Sequence, residues 1–218
     1  MGSVVRGTLA HILTGCGISL AQGRYTWRHD KVLLALADAI ERLRTKKIST
    51  TRSPCGAINF VREGSRPSRG SPRPRPHLLQ TARAWEMRAD VGKRLQFPGV
   101  VNTTLRPDIV LWSDEGRKII MIELTVPWEE SCEEAHERKA LKYGSLLQEC
   151  RDKGWQAWLF PVEVGCRGFP ARSVWQLMAA LGLSNKEKKR ATRRLGEEAE
   201  RASCWIWSRR NDKKWGLD

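Results

Sequence analysis

The chain has 218 residues, 40% of them apolar, which is enough for one domain with a buried core and excludes a wholly disordered chain. Its 39 Lys and Arg against 24 Asp and Glu leave a net charge of +15, so an acidic partner is expected and nucleic acid is the natural one, because each phosphate neutralised releases condensed counterions. No stretch approaches the roughly 18 apolar residues needed to cross a bilayer, which excludes a helical membrane anchor.

Six cysteines stand at 16, 55, 132, 150, 166 and 204 without a CxxC pair, a pattern that suits free thiols in a reducing compartment rather than a disulfide framework. The segment from Arg6 to Ala21 imitates a signal peptide, but His11, Thr14, Gly15 and Gly17 interrupt its apolar run. An intracellular, soluble and nuclear protein is therefore expected.

Thr26 is a plausible N-cap for a helix over 28–44, with Val32, Leu33, Leu36, Ala37 and Ile40 as its apolar stripe. Ala57–Val61 has the composition of a short strand. The basic, proline-rich stretch 62–76 cannot bury apolar surface and is expected to be a disordered insertion. A further strand falls within 85–97. Two alternating apolar runs, 106–112 and 117–126, flank Ser113-Asp114-Glu115-Gly116 and predict a β-hairpin. A charged helix over 129–152, a strand over 155–164, a short helix over 173–181 and a basic helix from Ser184 to Arg201 follow. Ser184 or Asn185 caps the last helix, and a Trp-rich tail lies behind it. Trp155, Trp158 and Trp175 are expected in the core. Trp205, Trp207 and Trp215 could stack on bases or pack the tail. The order predicts an α/β fold with a mixed central sheet flanked by helices, in which the strand after the charged helix runs parallel to the second hairpin strand.

If the four-residue turn is symmetric, Asp108 lies opposite Met121 and Arg106 opposite Glu123. Residues opposite one another, or two apart on one strand, share a face. Asp108, Glu123 and Thr125 then project from one side, with the two carboxylates as diagonal neighbours. Such a pair suits a Mg²⁺ or Mn²⁺ ion completed by waters and a substrate phosphate.

At these residues the chain resembles the PD-(D/E)xK nuclease superfamily, and more narrowly the restriction-like endonuclease region at the C-terminal end of some non-LTR retrotransposon polyproteins. Arg28-His29-Asp30 is similar to a basic-His-Asp motif that precedes the acidic hairpin there. Arg106-Pro107-Asp108, with fourteen residues between Asp108 and Glu123, is similar to its Pro-Asp…acid spacing. His11 and Cys16 resemble the second half of its Cys-Cys-His-Cys zinc knuckle, with the preceding cysteines absent. The resemblance spans roughly residues 8 to 182. It implies a restriction-endonuclease-like αβββαβ core with an added basic helix, divided into a knuckle remnant and lead-in (1–27), the nuclease domain (28–183) and the basic helix and tail (184–218). It also suggests a fragment of a longer polyprotein or a degenerate copy.

The resemblance implies Asp108 and Glu123 as metal ligands and catalytic residues. The usual lysine after the second acid is Thr125, so a lysine of the following helix must replace it. Lys139 and Lys142 are the candidates, with Lys142 preferred to steady the attacking water. His29 and Asp30 join the catalytic set. The expected nucleic-acid contacts are Arg28, Arg106, Lys188, Lys189, Arg190, Arg193 and Arg194. Cys132 and His136, four apart, are read as helix packing rather than a zinc pair. The expected function is metal-dependent hydrolysis of target DNA, with the element's RNA as a second possible polyanion. An inactive nucleic-acid-binding remnant and a basic scaffold protein are the alternatives.

Overall fold

The computed structural model describes residues 7–48, 76–212 and 215. A π-helical turn at His11–Gly15 leads into α1 (Gly17–Ala21) and α2 (Arg24–Ile48). Three strands follow, β1 (Glu86–Ala89), β2 (Ile109–Ser113) and β3 (Lys118–Thr125). Helix α3 (Cys132–Asp152) crosses to β4 (Gln156–Glu163), and α4 (Arg172–Leu181) and α5 (Asn185–Ser208) complete the chain. The strand expected at 57–61 lies outside the described residues, as does all of the basic stretch 62–76 except Pro76. Among the described residues no helix is long and apolar enough to cross a membrane.

Helix α2 begins four residues earlier than expected. Gly23 turns the chain with φ +70°, and its carbonyl accepts the Trp27 N–H at 2.9 Å, so Thr26 lies inside the helix and caps nothing. Helix α5 begins where its sequence signals. The Ser184 hydroxyl accepts the Glu187 N–H, and the Glu187 carboxylate accepts the Ser184 N–H at 2.9 Å, a reciprocal cap.

The four strands form one mixed sheet in the order β1-β2-β3-β4, antiparallel except for β3 and β4. A helical crossover joins that last pair, which is why it is parallel. The hairpin register differs from expectation. Ser113 stays in β2 opposite Lys118, and Arg117 takes a left-handed conformation with φ +45°, so the turn is Asp114–Arg117. Every pairing moves by two residues. An even shift leaves side chains on their original faces.

Ile109, Leu111, Ile120, Ile122 and Leu124 face α2, α4 and α5, where Leu33, Leu36, Ile40, Leu177 and Leu195 meet them in one core. Val110, Trp112, Ile119 and Met121 face α3 and pack on Tyr143 and Leu146. With both faces covered, β2 and most of β3 are buried residue after residue, and each large aliphatic side chain removed from water contributes about 1.5–3 kcal/mol.

Two arginines of α2 are structural. Arg28, expected at a phosphate, is 3% exposed; it donates to the Ser203 hydroxyl at 3.1 Å and the Val126 carbonyl at 3.0 Å. Burial lowers its pKa, and no phosphate can reach it. Arg24 is fully buried, bonds the carbonyls of Arg209 and Asp212, and stacks on Trp215, which in turn meets Trp27 edge-on at 5.4 Å. The tail tryptophan is thus a packing group.

The described cysteines 16, 132, 150, 166 and 204 are all free thiols. Burial pushes Cys150 and Cys166 up to about 11, and burial together with Glu163, Glu129 and Glu130 does the same for Cys132. Cys204 is exposed, and Cys16 is lowered chiefly by a hydrogen bond from the Ser19 backbone. Since the thiolate is the nucleophile, peptide mapping after iodoacetamide treatment at pH 8 is expected to find Cys16 and Cys204 modified in the native protein and Cys132, Cys150 and Cys166 only after unfolding.

Candidate active site

Continuing the hairpin ladder one pair beyond Ile109 and Ile122 sets Asp108 directly across from Glu123. The two acids are therefore facing neighbours rather than diagonal ones, on the sheet face that α3 covers. Local bonds lock them together. The Asp108 N–H donates to Glu123 Oε2 at 3.2 Å, and the Leu124 N–H donates to Asp108 Oδ2 at 2.7 Å. Pro107 donates no backbone hydrogen bond where β2 is entered, so the chain there is free to depart from the ladder.

Glu123 is 3% exposed at its side chain and Asp108 14%. Burial raises the Glu123 pKa, the charge of Asp108 raises it further, and hydrogen bonds from Lys139 and Tyr143 oppose both. Lys139 Nζ lies 2.5 Å from Glu123 Oε1. Lys139, not the preferred Lys142, is thus the lysine of α3 that reaches the acids. Lys142 is exposed and lies 3.1 Å from the Tyr143 hydroxyl at the mouth of the site. Three residues advance a side chain about 300°, which leaves the two lysines about 60° apart and one turn offset, so Lys139 reaches Glu123 near the end of β3 while Lys142 stops at the mouth of the cleft.

Tyr143 was only a neighbour of the lysines in the sequence. Its hydroxyl donates to the Arg106 carbonyl at 2.8 Å, and its ring is fully buried under the hairpin. Burial, Glu123 and Asp108 all raise its pKa, so the phenol stays protonated. Tyr143 lies four residues after Lys139 on one helix face, a spacing that could have drawn attention to it.

His29 joins from α2. Its Nε2 is 3.2 Å from Asp108 Oδ2 and its Nδ1 3.2 Å from Asp30 Oδ1. Burial alone would lower its pKa, but hydrogen bonds and charge from the two aspartates win and raise it to about 10. His29 is therefore a cation against Asp108, while the Lys139 amine pairs with Glu123. A cleft of about 250 Å³ opens beside His29 and Asp108, lined also by Asp30, Lys142, Arg106 and the unforeseen Asp90 and Lys93, with Glu123 and Lys139 behind its wall. Arg106 is anchored through the Lys93 carbonyl at 2.7 Å, and the Asp90 N–H donates to the Asp108 carbonyl at 2.7 Å.

The other expected residues lie elsewhere. Lys189, Arg190, Arg193 and Arg194 are exposed on α5, with Lys188 half-buried. Arg194 pairs with Asp38 and Arg193 with Glu197. His11 is exposed on the π-helical turn, and the Cys16 N–H is bonded to the Tyr25 hydroxyl at 3.0 Å. His136 lies 3.2 Å from both oxygens of the buried Glu163 rather than forming a pair with Cys132.

Among the described residues no three His, Cys, Asp or Glu side chains are set to hold a metal by themselves. The donor chemistry of Asp108 and Glu123 still fits Mg²⁺ or Mn²⁺, hard ions that take one or two carboxylates and complete their shell with water and phosphate. Without an added cation, Lys139 is what makes a buried Glu123 tolerable. Replacing Lys139 by Met is expected to lower stability by about 1–3 kcal/mol in urea titrations, whereas adding Glu123→Gln to that variant restores most of the loss.

Neither a protein-family model nor a curated protein matches this sequence.

Proposed function

We propose that the chain is a restriction-endonuclease-like domain that hydrolyses phosphodiester bonds of target DNA with a divalent metal, and that it descends from a non-LTR retrotransposon. The observation that carries this reading is the trio of Asp108, Glu123 and Lys139. Two facing acids at the end of the central strands gain, from the next helix, the cation that Thr125 cannot provide. The element order, one helix, three strands, a helix and a parallel strand, agrees with the αβββαβ core of such nucleases. The basic surface supports a polyanionic substrate, and the nucleus is where such DNA would be met.

Asp108 and Glu123 would hold the metal, whose chemistry there is to supply a deprotonated water and to stabilise charge on the phosphodiester oxygens. The chain's own groups have distinct tasks. Lys139 pairs with Glu123 and opposes the rise in its pKa that burial and Asp108 produce, and His29 orients Asp108 between itself and the Leu124 amide. Tyr143 fixes the Arg106 carbonyl and so the entry to Asp108. Lys142, Arg106 and Lys93, on the rim of the cleft, would contact the flanking phosphates. A binding-only descendant of the same fold is the second reading. Thr125 favours it, since its buried hydroxyl has no partner and carries no charge.

Supercoiled plasmid with Mg²⁺ or Mn²⁺ is expected to be nicked by the wild-type chain. Asp108→Ala, Glu123→Ala and Lys139→Met should each lose about a hundredfold or more, the scale of removing one charge-stabilising group from an active site. Lys142→Met should lose less. Equal background nicking by all of these proteins would sink the enzyme, and binding that weakens steeply with salt would then support the second reading.

A further inference from the structure

The sheet separates the acids from a second feature. Glu123 lies on the α3 face, whereas α4 and α5 pack on the other. Between α5, α4 and the loop leading into α4 runs a groove of about 380 Å³. Its wall is built by an unusually close approach. Gly168, at φ +97°, lays its carbonyl against Gly196 of α5, and a Cβ on Gly196 would stand 2.4 Å from that oxygen.

Three properties of the groove point to one kind of ligand. Trp175 of α4, expected in the core, is instead 39% exposed and lines the groove. Lys189 and Arg193 line its basic end. Lys189 has no ion pair among the described residues, and the Arg193–Glu197 pair is an exposed i,i+4 contact that exchanges readily for another anion. Thr192, 5% exposed, lies between them in the lining, and its hydroxyl has no hydrogen-bond partner. Glu200 lines the other end, about three turns along α5 from Lys189, and Glu197 sits against Arg193, so the unpaired Lys189 is where an anion is drawn first, with Arg193 joining when it exchanges Glu197 for the anion.

We propose that this groove holds an unpaired nucleotide of the DNA substrate, its base stacked on Trp175 and its phosphate on Lys189 and Arg193. The ligand must be unpaired because the faces of a base inside a duplex are already covered by its neighbours, while a free base offers a flat π-surface that an exposed indole accepts. The assignment deepens the nuclease reading and rests on it for the choice of DNA. It makes the substrate a duplex with a single-stranded segment, gripped on both faces of the sheet.

Fluorescence anisotropy in EDTA, with a labelled oligothymidylate, a duplex of equal length and an oligouridylate, tests it. Trp175→Ala is expected to weaken oligothymidylate binding about tenfold, the scale of one lost base–aromatic stack, and to leave duplex binding unchanged. Trp175→Phe, which keeps a ring, should restore most of the affinity. Lys189→Glu should weaken single-strand binding and reduce its salt dependence by about one phosphate contact. Equal losses on single strand and duplex, no loss with Trp175→Ala, or no recovery with phenylalanine overturns the groove. Trp175-dependent binding confined to the oligouridylate overturns the assignment to DNA. Because EDTA removes catalysis from the titration, a chain that nicks no plasmid yet binds through Trp175 overturns the nuclease reading alone. A chain that nicks plasmid without Trp175-dependent binding overturns the groove alone.

Discussion

Two carboxylates that face each other across a hairpin cannot both be charged and buried without cations against them. That constraint organises one end of the central strands. Asp108 and Glu123 share a backbone clasp, His29 closes on the first acid and Lys139 on the second. Each cation comes from a different helix, one on either layer of the fold. The acids thereby tie α2 and α3 to the same strand end. Burial disfavours the charged forms of Glu123 and His29, and the cluster persists because each of its four groups has a partner.

The same logic separates arginines that hold the fold from those that meet solvent. Arg24 and Arg28 sit in a strongly basic stretch of α2, yet both are buried and spend their donors on carbonyls and a hydroxyl of distant segments. They join the start of α2 to the end of α5 and to the chain after β3. Exposed cations include Arg106 and Lys142 around the cleft and a run along the first half of α5. A net charge of +15 is therefore a sum over different jobs. Only the exposed part is free to meet a polyanion.

Helix α3 shows how a small geometric difference sorts chemically equal residues. Lys139 and Lys142 have the same side chain and lie three residues apart, but only Lys139 is carried beneath the sheet to Glu123. Lys142 stays in solvent above Tyr143. Tyr143 itself fills the space between helix and hairpin and leaves its hydroxyl to fasten the chain entering β2.

Much of the architecture was legible in the residues. Alternating apolar runs around a turn, a crossover-length helix and a capped basic helix determine a mixed sheet flanked by helices, because periodicity and capping are local properties. That Asp108 and Glu123 share a face was also readable, since a two-residue error in register returns every side chain to its own side. Tertiary structure alone decided the rest. It chose direct over diagonal pairing, because Arg117 took a left-handed turn that no alternation pattern encodes. It chose Lys139 over Lys142, buried Arg28 and left Trp175 in the open, because the rotation of a helix about its axis depends on what packs against it. Sequence spacing names the residues on a helical face; only packing says where that face points.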